Sequence, residues 1–170
     1  VELTVGVLGS DALPVLEIDF SSCRGSGEFF YTWRMKEFQG DAARGLNPTL
    51  HCPARLTPEV TAQVQSVAIK AHRALGCTDL SRTDIRLRAD GTPFVLEINP
   101  LPGLSPLESN FPVMTSAAGL SHDAVIQRIV ELAMTRYGRA MPNPQEPPPP
   151  NALAGSRVGS LRIGTQEGTP

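Results

Sequence analysis

A chain of 170 residues, 41% of them hydrophobic, is long enough for one domain of ordinary size with some excess. Its 15 Lys and Arg against 17 Asp and Glu leave a net charge of -2, so it lacks the basic excess of a phosphate-backbone binder, and nucleic acid is not expected as a partner. No apolar run approaches the ~18 residues of a spanning helix and no signal peptide opens the chain, so neither a membrane nor secretion is supported.

Val1, Leu3, Val5 and Val7 recur with period two, predicting a half-buried strand over 1–9 with Glu2 and Thr4 on its other face. The absence of an initiator Met before this strand leads us to expect a piece of something longer. A Gly9-Ser10-Asp11 turn follows, and Leu16, Ile18 and Phe20 predict a second strand that returns as a hairpin. Residues 21–55 show no sustained period, are rich in Gly, Ser and Pro, and carry Phe29, Phe30, Tyr31 and Trp33. We read this stretch as a covering loop. Cys23, Cys52 and Cys77 are odd in number and form neither a CxxC pair nor a disulfide framework, so they read as structural thiols in a reducing cytoplasm.

Thr57-Pro58-Glu59 has the chemistry of a helix start, and Val60, Val64, Val67, Ala68, Ala71 and Leu75 form one stripe that ends at Gly76. A second helix starts at Ser121, carries Val125, Ile126, Ile129, Val130, Ala133 and Tyr137 on its buried side, and stops at Gly138. From 139 to 170 the chain holds seven of its sixteen prolines and few bulky apolar residues. Such a segment cannot bury enough surface to offset its ordering entropy, so it reads as a disordered, solvated tail after a domain over 1–138. His51, His72 and His122 show no metal spacing and read as surface or helix-cap residues.

Between the helices, Thr83, Ile85 and Leu87 alternate with Arg82, Asp84, Arg86 and Arg88, Asp90-Gly91 turns, and Phe94, Leu96 and Ile98 alternate with Val95, Glu97 and Asn99. Taking Asp90-Gly91 as a two-residue turn, Arg88 faces Pro93, Asp84 faces Glu97 and Arg82 faces Asn99. Two carboxylates opposite each other at roughly 5 Å repel by about 3 kcal/mol at an effective dielectric of ~20. A cation reverses the sign, and two carboxylates with an amide oxygen suit a hard divalent ion. The alternative is a solvated ladder in which Arg82 and Arg86 neutralise both acids. On spacing alone the two readings stand level. Pro100 to Ser109 follows as a rigid Pro/Gly loop that presents backbone N–H groups and hydroxyls beside the cation, as oxyanion binding requires, and this favours the metal.

These residues carry a resemblance. Glu97-Ile-Asn99-Pro-Leu-Pro102-Gly103-Leu-Ser105, preceded by Arg82-x-Asp84 and Asp90-Gly91, resembles the ATP-grasp core of the D-alanine:D-alanine ligases. The opening strand with Leu13 to Ile18, and Phe30-Tyr31 and Lys36 followed by Cys52-Pro53-Ala54, are similar to that family's flanking strands and mobile loop. The resemblance implies an α+β fold, an antiparallel sheet covered by helices. It implies that Asp84, Glu97 and Asn99 bind two Mg²⁺ or Mn²⁺ ions on the ATP phosphates, that Lys36 meets the γ-phosphate and Glu2 the ribose, and that Phe30 and Leu96 flank the adenine. Arg82 and the Gly103 amide would stabilise the tetrahedral oxyanion, and Ser109 with Ser105 would hold the second substrate's carboxylate. D-alanine would be the amino-acid substrate in peptidoglycan precursor synthesis, and the full-length enzyme a homodimer.

Two departures leave the acceptor open: Glu37 stands where many members carry a tyrosine, and Asn99 to Ser109 is one residue longer than in typical members. The family's amino-terminal domain and first half of the grasp are absent, so the fragment alone is expected to be inactive. An ATP-grasp ligase with another amino or hydroxy acid acceptor, or a non-catalytic divalent-metal module, are the competing readings.

Overall fold

A computed structural model describes residues 1–26, 30, 32, 34–35 and 47–139. Among these, six strands build one sheet: β1 (Glu2–Leu8), β2 (Asp11–Ala12), β3 (Leu16–Asp19), β4 (Thr49–His51), β5 (Leu80–Leu87) and β6 (Pro93–Asn99). The order is β4-β3-β1-β5-β6, with β2 on β1, and every pairing is antiparallel. Three helices accompany the sheet, α1 (Pro58–Ala74), α2 (Asn110–Ala117) and α3 (His122–Arg136). The fold is α+β.

The period-two pattern does place β1, but the half-buried reading is corrected, because all seven of its residues are buried. β1 lies between β3 and β5, and both its faces are covered. Leu3, Val5 and Val7 pack with Val15, Ile85 and Leu87 against Val64 and Ala68 of α1. On the other face Leu8, Leu13, Leu16 and Leu80 lie with Phe111 and Met114 of α2 and Val125 of α3. That approach depends on Gly6: a Cβ there would stand 2.7 Å from Leu13 Cδ1 and 2.9 Å from Phe111 Cε2. A spanning helix is absent among the described residues.

Between β1 and β2 the turn is Gly9-Ser10, with Leu8 paired to Asp11 and Gly9 at φ 66°, the first central position of a type II′ hairpin. β3 ends one residue before the period predicts. Asp19 Oδ1 accepts the Ser21 N–H at 2.8 Å, and this Asx turn diverts Phe20 into a 3₁₀ segment, Phe20–Ser26. The predicted covering loop thus begins in a 3₁₀ turn and ends in β4, which pairs with β3.

α1 starts as its sequence predicts, Thr57 Oγ1 accepting the Val60 N–H at 3.4 Å. Its buried residues are Val64, Ala68 and His72, whereas Leu75 is exposed. His72 is therefore corrected from a surface residue to a core one, with Nδ1 2.7 Å from the buried Ser81 Oγ. Burial, then the nearby Arg73, hold it below the usual imidazole range. α3 is capped by Ser121, which accepts the Ala124 N–H at 3.2 Å, but buries only Val125, leaving Ile126, Val130 and Tyr137 exposed because it packs on α2 rather than across the sheet. The tail from residue 140 lies outside the described residues.

Candidate active site

The β5–β6 hairpin sets the geometry. Its turn is one residue longer than predicted: Arg88 C=O accepts the Gly91 N–H, Arg88 N–H donates to Thr92 C=O, and Gly91 takes φ 82°. The loop is Ala89-Asp90-Gly91, a three-residue connection closed by a left-handed glycine. Pro93 accordingly faces Leu87, not Arg88. A bulge between Asp84 and Ile85 then shifts the register back, so that Asp84 pairs with Glu97 and Arg82 with Asn99 as expected. Leu96 is the residue left over.

Register partners share a face, so β1, β5 and β6 present three rows side by side: Glu2, Arg86 and Phe94; Thr4, Asp84 and Glu97; Gly6, Arg82 and Asn99. Arg82 clasps Asp84 with both arms of its fork, Nε to Oδ1 and Nη2 to Oδ2, each at 2.9 Å. Thr4 Oγ1 donates to the same Oδ1 at 2.7 Å, and Arg82 Nη2 lies 3.5 Å from Glu97 Oε1. Burial alone would raise the Asp84 carboxyl, but the Arg82 guanidinium, helped by Thr4 and Glu97, brings it below the usual carboxylate range. The alternative in which both arginines neutralise this acid pair holds in one half only. Arg82 contacts both acids, whereas Arg86 turns to Glu2, with Nη1 3.0 Å from Oε2.

The donor set fits a hard divalent ion. Asp84 and Glu97 stand opposite each other, Asn99 follows two residues on, and all three offer oxygen. No group of three or more His, Cys, Asp or Glu side chains is arranged for a metal among the described residues. Mg²⁺, which binds through one or two carboxylates and completes its shell with water and phosphate oxygens, asks for no such group.

After β6, Asn99 Oδ1 accepts the Leu101 N–H at 2.9 Å, starting the loop with an Asx turn. Ser105 C=O accepts the N–H groups of Glu108 and Ser109, folding the segment back on itself. Ser109 then lies against Gly103 so closely that a Cβ on Gly103 would meet its Oγ at 2.4 Å. Ser109 is the N-cap of α2, yet its side chain makes no cap bond. His122 Nε2 donates to Leu104 C=O at 3.0 Å, tying the loop to the start of α3.

At the other end of the rows, Glu2 and Arg86 border a cleft of about 520 Å³ with Ile18, Asp19, Phe20 and Ser21. Leu96 and Phe30 are exposed, at 57% and 59%, and Lys36 lies outside the described residues. The sequence reading gave Thr4 no partner and gave Arg86 the acid pair in place of Glu2. Their roles depend on the β1–β5 register, which links residues some eighty positions apart.

The family model described as the D-ala D-ala ligase C-terminus matches residues 1–131. The D-alanine--D-alanine ligase of Nitratidesulfovibrio vulgaris is 45% identical over 139 residues, covering 82% of this chain and 42% of its own length. That of Deinococcus radiodurans is 36% identical over 137 residues, covering 78% and 37%. The solved D-alanine--D-alanine ligase of Bacillus anthracis superposes with a TM-score of 0.63 at 24% identity, over 81% of this chain and 41% of that one. The same enzyme complexed with ATP gives 0.61 at 22%, over 81% and 39%. These two share the fold, and the chain spans about two fifths of the length of its curated relatives. By the match over residues 1–131, the chain belongs to the D-alanine–D-alanine ligase family, through that family's carboxy-terminal domain.

Proposed function

We propose that this chain forms one wall of the active site of an ATP-dependent carboxylate–amine ligase that joins D-alanine to D-alanine for peptidoglycan precursor synthesis. The observation that carries the reading is the Asp84–Glu97 register pair, flanked on one face by Arg82 and Asn99 and continued by the Gly103–Ser109 loop. Asp84, Glu97 and Asn99 would hold Mg²⁺ or Mn²⁺, two ions in all, whose chemistry is to neutralise the ATP phosphates. Glu2 receives the ribose, Phe30 and Leu96 flank the adenine, and Lys36 meets the γ-phosphate.

In the first step a carboxylate oxygen of one D-alanine attacks the γ-phosphorus, the bond to the bridging oxygen breaks, and ADP leaves. The amine of the second D-alanine then attacks the acyl carbon and loses a proton. The C–O bond to phosphate breaks, releasing inorganic phosphate and leaving the amide. Negative charge gathers on the acyl oxygen between these events, and Arg82 and the Gly103 N–H stabilise it. Ser109 and Ser105 hold the incoming carboxylate. ATP and D-alanine place the reaction in the cytoplasm, where the three free cysteines are at home, and the full-length enzyme acts as a homodimer.

ADP release, measured with D-alanine on a version extended to the length of the relatives, tests the reading. D-alanine-dependent release supports it. Release with another amino or hydroxy acid alone makes the protein a ligase of different acceptor, and ATP binding without release with any acceptor makes it a non-catalytic module.

A further inference from the structure

Arg86, ion-paired with Glu2 at the nucleoside end of the cleft, has no part in the roles assigned above. Glu2 and Arg86 are register partners on one face, and the acid is 8% exposed where the guanidinium is 41% exposed. The carboxylate therefore lies at the floor while the arginine runs from it toward the mouth. The cleft they border is walled by Ile18 and Phe20, with Phe94 standing beside Arg86 in the same row.

A glutamate side chain turns about three bonds, and an unheld one presents its oxygens in many directions. A ribose hydroxyl donates to one carboxylate oxygen at one place, so affinity depends on where that oxygen is held before the ligand arrives. Arg86 Nη1, 3.0 Å from Glu2 Oε2, is placed to hold it. The guanidinium is rigid and planar, whereas a lysine in its place keeps the charge and loses the fork.

We propose that Arg86 is the positioning residue of the nucleoside site, fixing the Glu2 carboxylate so that it accepts a ribose hydroxyl. The proposal rests on the reading that Glu2 receives the ribose. It differs from a plain brace between β1 and β5 in one respect: it discriminates ligands that have a ribose from ligands that have only phosphates.

Titration calorimetry with ATP and with inorganic tripolyphosphate, both with Mg²⁺, on a version extended to the length of the relatives, tests it in the wild type, Arg86→Met, Arg86→Lys, Glu2→Gln and the Glu2→Gln/Arg86→Met pair. Arg86→Met is expected to weaken ATP about tenfold and tripolyphosphate less than twofold, with Arg86→Lys between wild type and Met. The double variant should bind ATP no more weakly than Glu2→Gln alone, because Arg86 acts through Glu2. Unchanged ATP affinity, or an equal loss for both ligands, overturns the proposal. If Arg86→Met does not fold, the Arg86→Lys arm decides by the same ATP-selective criterion. An extended wild type that binds neither ligand overturns the nucleotide reading itself and the proposal with it, a result seen before any variant is made.

Discussion

Replacing Arg82 by Met asks how much of this face depends on a cation. Arg82 and Asp84 side chains are 15% and 17% exposed, and the fork makes two 2.9 Å bonds. Losing those charge-assisted bonds costs about 2 kcal/mol. It also leaves two carboxylates opposite each other, a repulsion of about 3 kcal/mol at roughly 5 Å and a dielectric of ~20. Glu97 is 58% exposed, so water screens that repulsion, by about half. The sum is about 3–4 kcal/mol, and at ~4 °C per kcal/mol for a domain of this size the Tm should fall by roughly 12–16 °C. Mg²⁺ would supply the missing charge, so the rise in Tm on adding it should be larger in Arg82→Met than in the wild type, where the guanidinium already neutralises Asp84. Thermal melts at pH 7.5, with and without millimolar Mg²⁺, read both effects. An unchanged Tm, or equal Mg²⁺ responses in the two proteins, would refute the argument. In a version extended to the length of the relatives, Arg82→Ala should lower kcat by ~100-fold or more, since charge developing on the acyl oxygen would lose its fixed donor.

Glu97→Gln should reduce the Mg²⁺-induced rise in Tm, read by the same melts, because it removes one of the two proposed anionic ligands. Gly103→Ala should push Ser109 away, its Cβ otherwise standing 2.4 Å from Oγ, and in the extended enzyme raise KM for the second D-alanine in steady-state assays. Asp84 and Glu17 both sit below the usual carboxylate range, the first despite burial through Arg82, the second chiefly through its bond to Arg55. A carboxyl whose folded pKa is depressed stabilises the fold above its unfolded value, so Tm should hold above roughly pH 5 and fall as the pH drops through ~4 and below. The 170-residue chain by itself should release no ADP with D-alanine, since positioning and charge stabilisation need both walls of the cleft, and robust release in a coupled assay would refute that.

The features that were legible in the sequence are those settled within a few residues. Thr57-Pro58 and Ser121 start α1 and α3 where local capping chemistry says. α2 was not legible: it is eight residues long, with Pro112 near its start, and becomes a helix by seating Phe111 and Met114 over Gly6, a contact across more than a hundred positions. The partners of Thr4 and Arg86 were hidden for the same reason, since period two places a residue on a face without saying which strand lies beside it.

The Asp84–Glu97 pair is the instructive case, because its prediction was right although one premise was wrong. The turn has three residues, not two, and that alone would set Asp84 opposite Leu96 and Glu97 opposite Thr83, on the face that α1 covers. The bulge that leaves Leu96 unpaired adds the compensating residue and returns Glu97 to the open face. A bulge costs ladder hydrogen bonds, and this one lies in the edge strand of the sheet. What it delivers is a second carboxylate beside the first and within reach of the Arg82 guanidinium, the arrangement on which the proposed metal site depends.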